Sequence, residues 1–257
     1  MKSEHAKRLR HPVITLLAAG MAIVFFAGSA CAGQRGRDLP AAVRVVLDQV
    51  NRFIETADYD SAVQRLTAFQ ARGGPPPAEN DTTSVYHHPM IDLVLGSCLL
   101  HQERHADAEA ALIRATRRMP ERIAAWLNLA KACYEQGKFA EAAVHFAAAY
   151  DHADEKQPEY LYYSAAACLM AEKYKDAVGA FERLLSDHPQ QIKPAWRAHW
   201  VNALLADGQA HQALPHIRTL IEQYDGQERV RWQEMLLHQY IQLDMRDQAR
   251  GYAHALT

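Results

Sequence analysis

The sequence predicts an all-α chain, a right-handed superhelical solenoid of about six helix-turn-helix units. Three observations carry this. Ala62, Ala108, Ala142, Ala177, Ala213 and Ala249 recur at intervals of 46, 34, 35, 36 and 36 residues. A period near 34 marks stacked helix pairs that can bury their apolar faces only against their neighbours. Around each alanine the apolar residues follow a spacing near 3.6, the mark of a helix with one buried stripe. Outside these segments no apolar-polar alternation persists, so strand signals are almost absent.

In chain order, residues 1–32 stand apart from the repeats. Lys2, Lys7, Arg8 and Arg10 form a basic start, Val13 to Ala27 an apolar run, and Gly28 to Gly33 a small-residue end, which is the layout of a secretory signal. Three fates fit it. Ala30-Cys31-Ala32 suits cleavage before Gly33; Gly28-Ser29-Ala30-Cys31 is similar to a bacterial lipoprotein box, which would lipidate Cys31; and Val13 to Ala32 is long enough for an uncleaved anchor. Each fate places the rest of the chain outside the cytoplasm. A linker over 33–42 then leads into repeats expected at 43–76, 89–122, 123–156, 158–191, 194–227 and 230–257, with an insertion at 73–84.

Within this frame, small residues at positions 8 and 20 let paired helices approach, and large ones at 4, 11, 17 and 24 fill the gaps. The first unit keeps Phe53, Tyr59, Ala62 and Leu66. The second has Leu95-Gly96, Ala108, Leu112, Ala115 and Pro120; the third has Trp126, Leu129, Ala130, Ala142 and Phe146. The fourth has Tyr174, Ala177, Phe181, Leu184 and Pro189; the fifth has Trp196, Trp200, Gly208, Ala213 and Ile217; the sixth has Trp232, Leu236, Tyr240 and Ala249. Gly137 and Gly208 fall where the first helix turns into the second, a place that favours left-handed backbone. The insertion Gly73-Gly74-Pro75-Pro76-Pro77 through Ser84 is stiff where proline-rich; it lets the first pair pivot or serves as an inert connector.

These residues resemble the tetratricopeptide pattern W-x2-L-G-x2-Y, A-x3-F, P from about Val43 to the end. The resemblance implies a protein-binding scaffold whose positions 2, 5, 6, 9, 12 and 13 line a concave face. The expected partner-binding residues are Asn128, Lys131 and Tyr134 in the third unit, and Tyr162, Tyr163, Leu169 and Met170 in the fourth, with packing against adjacent helices an equal reading for Tyr162 and Leu169. The fifth adds His199, Asn202 and Leu205, and the sixth Met235 and His238. Aromatic, thioether and amide groups together suit an extended or helical peptide. Position 5 reads Leu93, Leu127, Tyr162, Ala198 and Glu234, so the lysine of the carboxylate-clamp subfamily is missing.

The runs Trp126 to Tyr134, Tyr160 to Ala166, Ala213 to Arg218 and Trp232 to Leu237 further resemble exported repeat proteins that accompany TonB–ExbB–ExbD energy-transducing systems. That resemblance implies a periplasmic adaptor. The alternatives are a lipoprotein subunit of an outer-membrane or cell-wall assembly machine and, from another class, an envelope hydrolase.

The chemistry of the chain excludes more than it assigns. It has 28 basic and 30 acidic residues; without the four basic and one acidic residue before Gly33, 24 and 29 remain, a net charge of −5. A nucleic-acid partner would want a basic stripe. No G-x-S-x-G elbow, phosphate-binding G-x-x-x-x-G-K-[ST] or G-x-G-x-x-G occurs, so no enzyme activity and no cofactor are expected. Cys98, Cys133 and Cys168, 35 apart, read as equivalent core fillers and not as a disulfide or metal set. His101 and His105 straddle a turn and lack a third ligand, so no metal is expected. The expected partners are proteins, with membrane contact only through a lipidated or uncleaved N-terminus and self-association through an uncapped C-terminal end.

Overall fold

The computed structural model describes residues 39–75 and 84–256. Among them are twelve α-helices and one short 3-10 turn at Pro189–Gln191. In order they are α1 (Ala41–Glu55), α2 (Tyr59–Ala71), α3 (Pro89–His101), α4 (His105–Arg118), α5 (Ile123–Glu135) and α6 (Phe139–His152). There follow α7 (Pro158–Met170), α8 (Tyr174–Asp187), α9 (Pro194–Ala206), α10 (Ala210–Gln223), α11 (Gly226–Gln242) and α12 (Arg246–Ala255). No strand occurs among the described residues. The signal and lipidation readings, Cys31 included, fall on residues outside those described.

One local device repeats in all six helix pairs. After the first helix a residue adopts left-handed backbone: Ala57, Glu103, Gly137, Glu172, Gly208 and Asp244, with φ between 54° and 79°. The next amide then donates back to the carbonyl five residues earlier, from Asp58 to Phe53, Arg104 to Leu99, Lys138 to Cys133, Lys173 to Cys168, Gln209 to Leu204 and Met245 to Tyr240, at 2.8–3.0 Å. This closure satisfies a carbonyl that the helix end would orphan. It also aims the second helix back along the first.

The chain divides between Tyr160 and Leu161, inside α7. In the first body, α3 is buried on all sides: every residue from Met90 to Leu100 is buried, against α2, α4 and α5. Close approach to α4 needs Gly96, because a Cβ there would lie 2.5 Å from Leu112 Cγ. Asp92, 1% exposed, takes donors from Gln70 Nε2 (3.1 Å) and from Arg114 Nε and Nη2 (3.0 and 2.7 Å). That three-helix hydrogen-bond set ties the first pair to the second. Tyr59 also stacks on His101 at 4.4 Å, and Gln102 Nε2 donates to Asp60 at 2.6 Å. These contacts dock the first pair on the second.

The ends of the insertion are pinned as well. Tyr86 packs on Phe69 at 5.1 Å, and His87 Nε2 lies 3.1 Å from the Gly74 carbonyl oxygen. Residues 76–83 lie outside the described set.

The second body comprises residues from Leu161 onward. Its core is Leu161, Phe181, Leu184, Trp200, Val201, Leu204, Ile217, Leu220, Trp232, Leu236 and Tyr240. Arg218 Nη2 donates to the Tyr240 hydroxyl at 2.7 Å, joining α10 to α11. Two boundaries differ from the sequence expectation. Helix α1 starts at Ala41, so the expected linker over 33–42 yields its last two residues to the first helix. Helix α11 starts at Gly226, a turn before Val230, because only Tyr224 and Asp225 separate it from α10.

Candidate functional site

The residues expected to line a binding face fall into two groups. Asn128 is 1% exposed, and its Nδ2 donates to Ser97 Oγ at 2.8 Å, so it bridges α5 and α3. Tyr134 is buried and packs edge-on against Phe139 at 5.0 Å; burial pushes its phenol up to about 12. Lys131 is half-buried, with its Nζ 3.8 Å from Glu135.

Tyr162 is 2% exposed, stacked on Trp196 at 4.8 Å, and its hydroxyl lies 2.9 Å from His199 Nδ1. His199 and Met170 are buried too, while Tyr163 is half-buried. These side chains join helices. The aromatic ring that looked available at position 5 is covered by the tryptophan of the next repeat.

The other group is open. Asn202, Leu205 and Ala206 of α9, with Ala210 at the start of α10, form one wall of a pocket of 580 Å³. Arg231, Glu234, Met235, His238, Gln239 and Gln242 of α11 form the other. On α11 the spacing of three or four places these side chains on one stripe. At ~1.5 Å per residue, Arg231 to Gln242 spans about 16 Å, the length of about five residues of extended chain.

The lining combines an apolar floor of Leu205, Ala206, Ala210 and Met235 with carboxamides and charges of both signs. Gln239 Nε2 lies 3.2 Å from His238 Nδ1 and 3.7 Å from Met235 Sδ, so it is held in place. Asn202 and Gln242 offer one donor and one acceptor group each. The site can hold a main chain by its amides and seat an apolar side chain. Asn202, Leu205, Met235 and His238 were legible from the repeat register. Ala206, Arg231 and Gln242 were not singled out, although positions 13, 2 and 13 of the same register contain them.

No group of three or more His, Cys, Asp or Glu able to hold a metal occurs among the described residues. Cys98, Cys133 and Cys168 are free and buried; burial pushes the first two thiols up to about 12 and the third to about 11. Such thiols are poor nucleophiles.

The tetratricopeptide-repeat family profile matches residues 47–118 and 93–158. The helix pairs over residues 47–158 match the tetratricopeptide-repeat family. Among solved structures, MamA residues 41 to the end from Desulfovibrio magneticus RS-1 is similar at a TM-score of 0.52 and 11% identity, over 72% of this chain and 96% of that one. A second MamA crystal structure gives 0.53 and 15%, over 70% and 90%. YrrB, described as a TPR protein with an unusual peptide-binding site, gives 0.50 and 15%, over 65% and 83%. At such identities the likeness establishes the fold alone. No curated protein matches the sequence.

Proposed function

We propose that this chain is a non-enzymatic scaffold of the bacterial cell envelope that seats an extended peptide segment of a partner protein between α9 and α11. The observation that carries the reading is the pocket itself: an apolar floor flanked by side-chain amides, on helices packed from both sides. A tetratricopeptide fold is a scaffold for protein partners, and its function lies on exposed side chains of such helices.

The envelope placement rests on the basic, apolar and small-residue order of residues 1–32. The resemblance to repeat proteins of TonB–ExbB–ExbD systems makes the specific role an adaptor between an inner-membrane motor and an outer-membrane process. Gly28-Ser29-Ala30-Cys31 supports a second reading, a lipoprotein of an envelope assembly machine.

The test is capture in living cells with the full-length chain against an Ala206→Arg variant, which fills the pocket from an exposed position. Enrichment of TonB- or ExbB-type proteins that drops about tenfold in the variant is the expected result. Enrichment of assembly factors, with fatty-acid label on Cys31, would favour the lipoprotein. Equal capture by both chains would remove the pocket from the function.

A further inference from the structure

Helix α9 is gripped by two histidines that the fold keeps neutral. On one side His199, 5% exposed, meets the Tyr162 hydroxyl of α7 at 2.9 Å. Tyr162 in turn stacks on Trp196 at 4.8 Å and 14°. On the other side His216 of α10 lies 4.0 Å from Trp200, with its Nδ1 3.2 Å from Arg197 Nη1. The first of these histidines stands one turn before Asn202, the residue that begins the pocket wall.

Glu234 of α11 faces α9 across the pocket, and among the described residues no carboxylate beside His199 offsets the burial of that ring. From α7 comes the Tyr162 hydroxyl, with the Tyr163 ring 5.8 Å from that of Tyr162, from α8 the Phe181 ring against Trp200, and from α10 the imidazole of His216. Lys193, just before the helix, lies over Trp196 at 4.3 Å. Arg231, Glu234 and His238 of α11 face the helix across the pocket.

Burial alone pushes the His199 imidazolium down to about 4. Burial and then Arg197 bring His216 to about 4. A loosened α9 would recover the ordinary histidine value of about 6.5. The open form then binds more protons between these values, so the joint is intact above about pH 6.5 and weakens as pH falls toward 4.

We propose that the α7–α9 joint is an acid-sensitive release for the partner seat: when His199 takes a proton, with His216 following, α9 loosens from Tyr162 and the wall of Asn202, Leu205 and Ala206 gives way. The release role rests on the pocket being the seat; the joint itself does not.

Hydrogen exchange of the full-length chain, corrected for the intrinsic pH dependence of exchange, tests the joint at pH 7.5 and 5.0. The opening constant of α9 should rise on the order of 30-fold at pH 5.0 for each histidine that is freed, while α3 and α5 keep their protection. A His199→Gln, His216→Gln double variant removes both titrating groups and should flatten the response. Unchanged α9 protection in the wild type, or a full response in a folded double variant, overturns the proposal. Should the double variant not fold, the His199 ring resonances of the wild type decide: titration together with α9 opening supports the joint, and titration near 6.5 without opening refutes it. Photo-crosslinking from Gln242 then tests release. Partner capture should fall on the order of 10-fold at pH 5.0; equal capture while α9 opens overturns the release role and leaves the scaffold reading standing. Absence of capture at either pH, with α9 opening as expected, counts against the seat and not the joint.

Discussion

At the scale of single residues, burial separates side chains that hold the repeats together from those that can meet a partner. Tyr162 stacks inside the second body, so Tyr162→Ala removes a buried aromatic and should cost ~3–5 kcal/mol in urea denaturation. Met235→Ala, on the open floor of the pocket, should cost less than ~1 kcal/mol. Equal losses would contradict the division. A second residue-scale prediction concerns the six left-handed turns. Gly137→Ala adds a Cβ at φ +74° and should destabilise by ~1–2 kcal/mol. Glu103→Gly, at φ 57°, relieves that strain against a glycine entropy cost of ~0.5–1 kcal/mol, and should leave stability unchanged or up to ~1 kcal/mol higher. Only two of these turns were legible beforehand, as Gly137 and Gly208. At Ala57, Glu103, Glu172 and Asp244 the same closure is made by residues with no special backbone freedom, and the returning hydrogen bond offsets their strain.

At the scale of helices, the sequence register was readable wherever a proline or a small residue has a steric job. Prolines begin α3, α7 and α9, where the missing N–H is harmless. Gly96 marks the closest helix approach, so Gly96→Ala drives a Cβ into Leu112 and should cost ~1–3 kcal/mol, read as a lowered urea midpoint of the first body. A neutral substitution would mean that α3 and α4 can move apart freely. The start of α11 at Gly226 was not readable, because a constant repeat length misses a connection as short as Tyr224–Asp225. Packing against an adjacent helix was one of two readings open for Tyr162, but its cover by Trp196 depends on the next repeat and was not readable. Histidine burial makes a pH prediction at this scale. With His199 near 4, folding holds that ring neutral; the associated loss between pH 6.5 and 4 reaches about 3 kcal/mol, so α9 should lose its urea resistance earlier at pH 5.0 than at pH 7.5.

At the scale of the whole molecule, the alanine period and apolar spacing made the fold legible, since each repeat must bury its stripe against the next. The lining of the pocket between α9 and α11 was legible only in part. Position 6 is closed at Asn128 and His199 but open at Met235, and position 12 is closed at Tyr134 but open at Leu205; one-dimensional register cannot show which neighbour covers which side chain. The envelope role rests on residues 1–32 and the partner class on resemblance. The central claim, a partner seat between α9 and α11, is tested most directly by a photo-crosslinking residue placed in living cells at Ala206, at Gln242 or at the exposed Val144 of α6. One partner should crosslink from Ala206 and Gln242 and not from Val144, and should vanish when Met235→Arg fills the pocket. Crosslinking of that partner from Val144 alone would place the binding surface elsewhere and contradict the account.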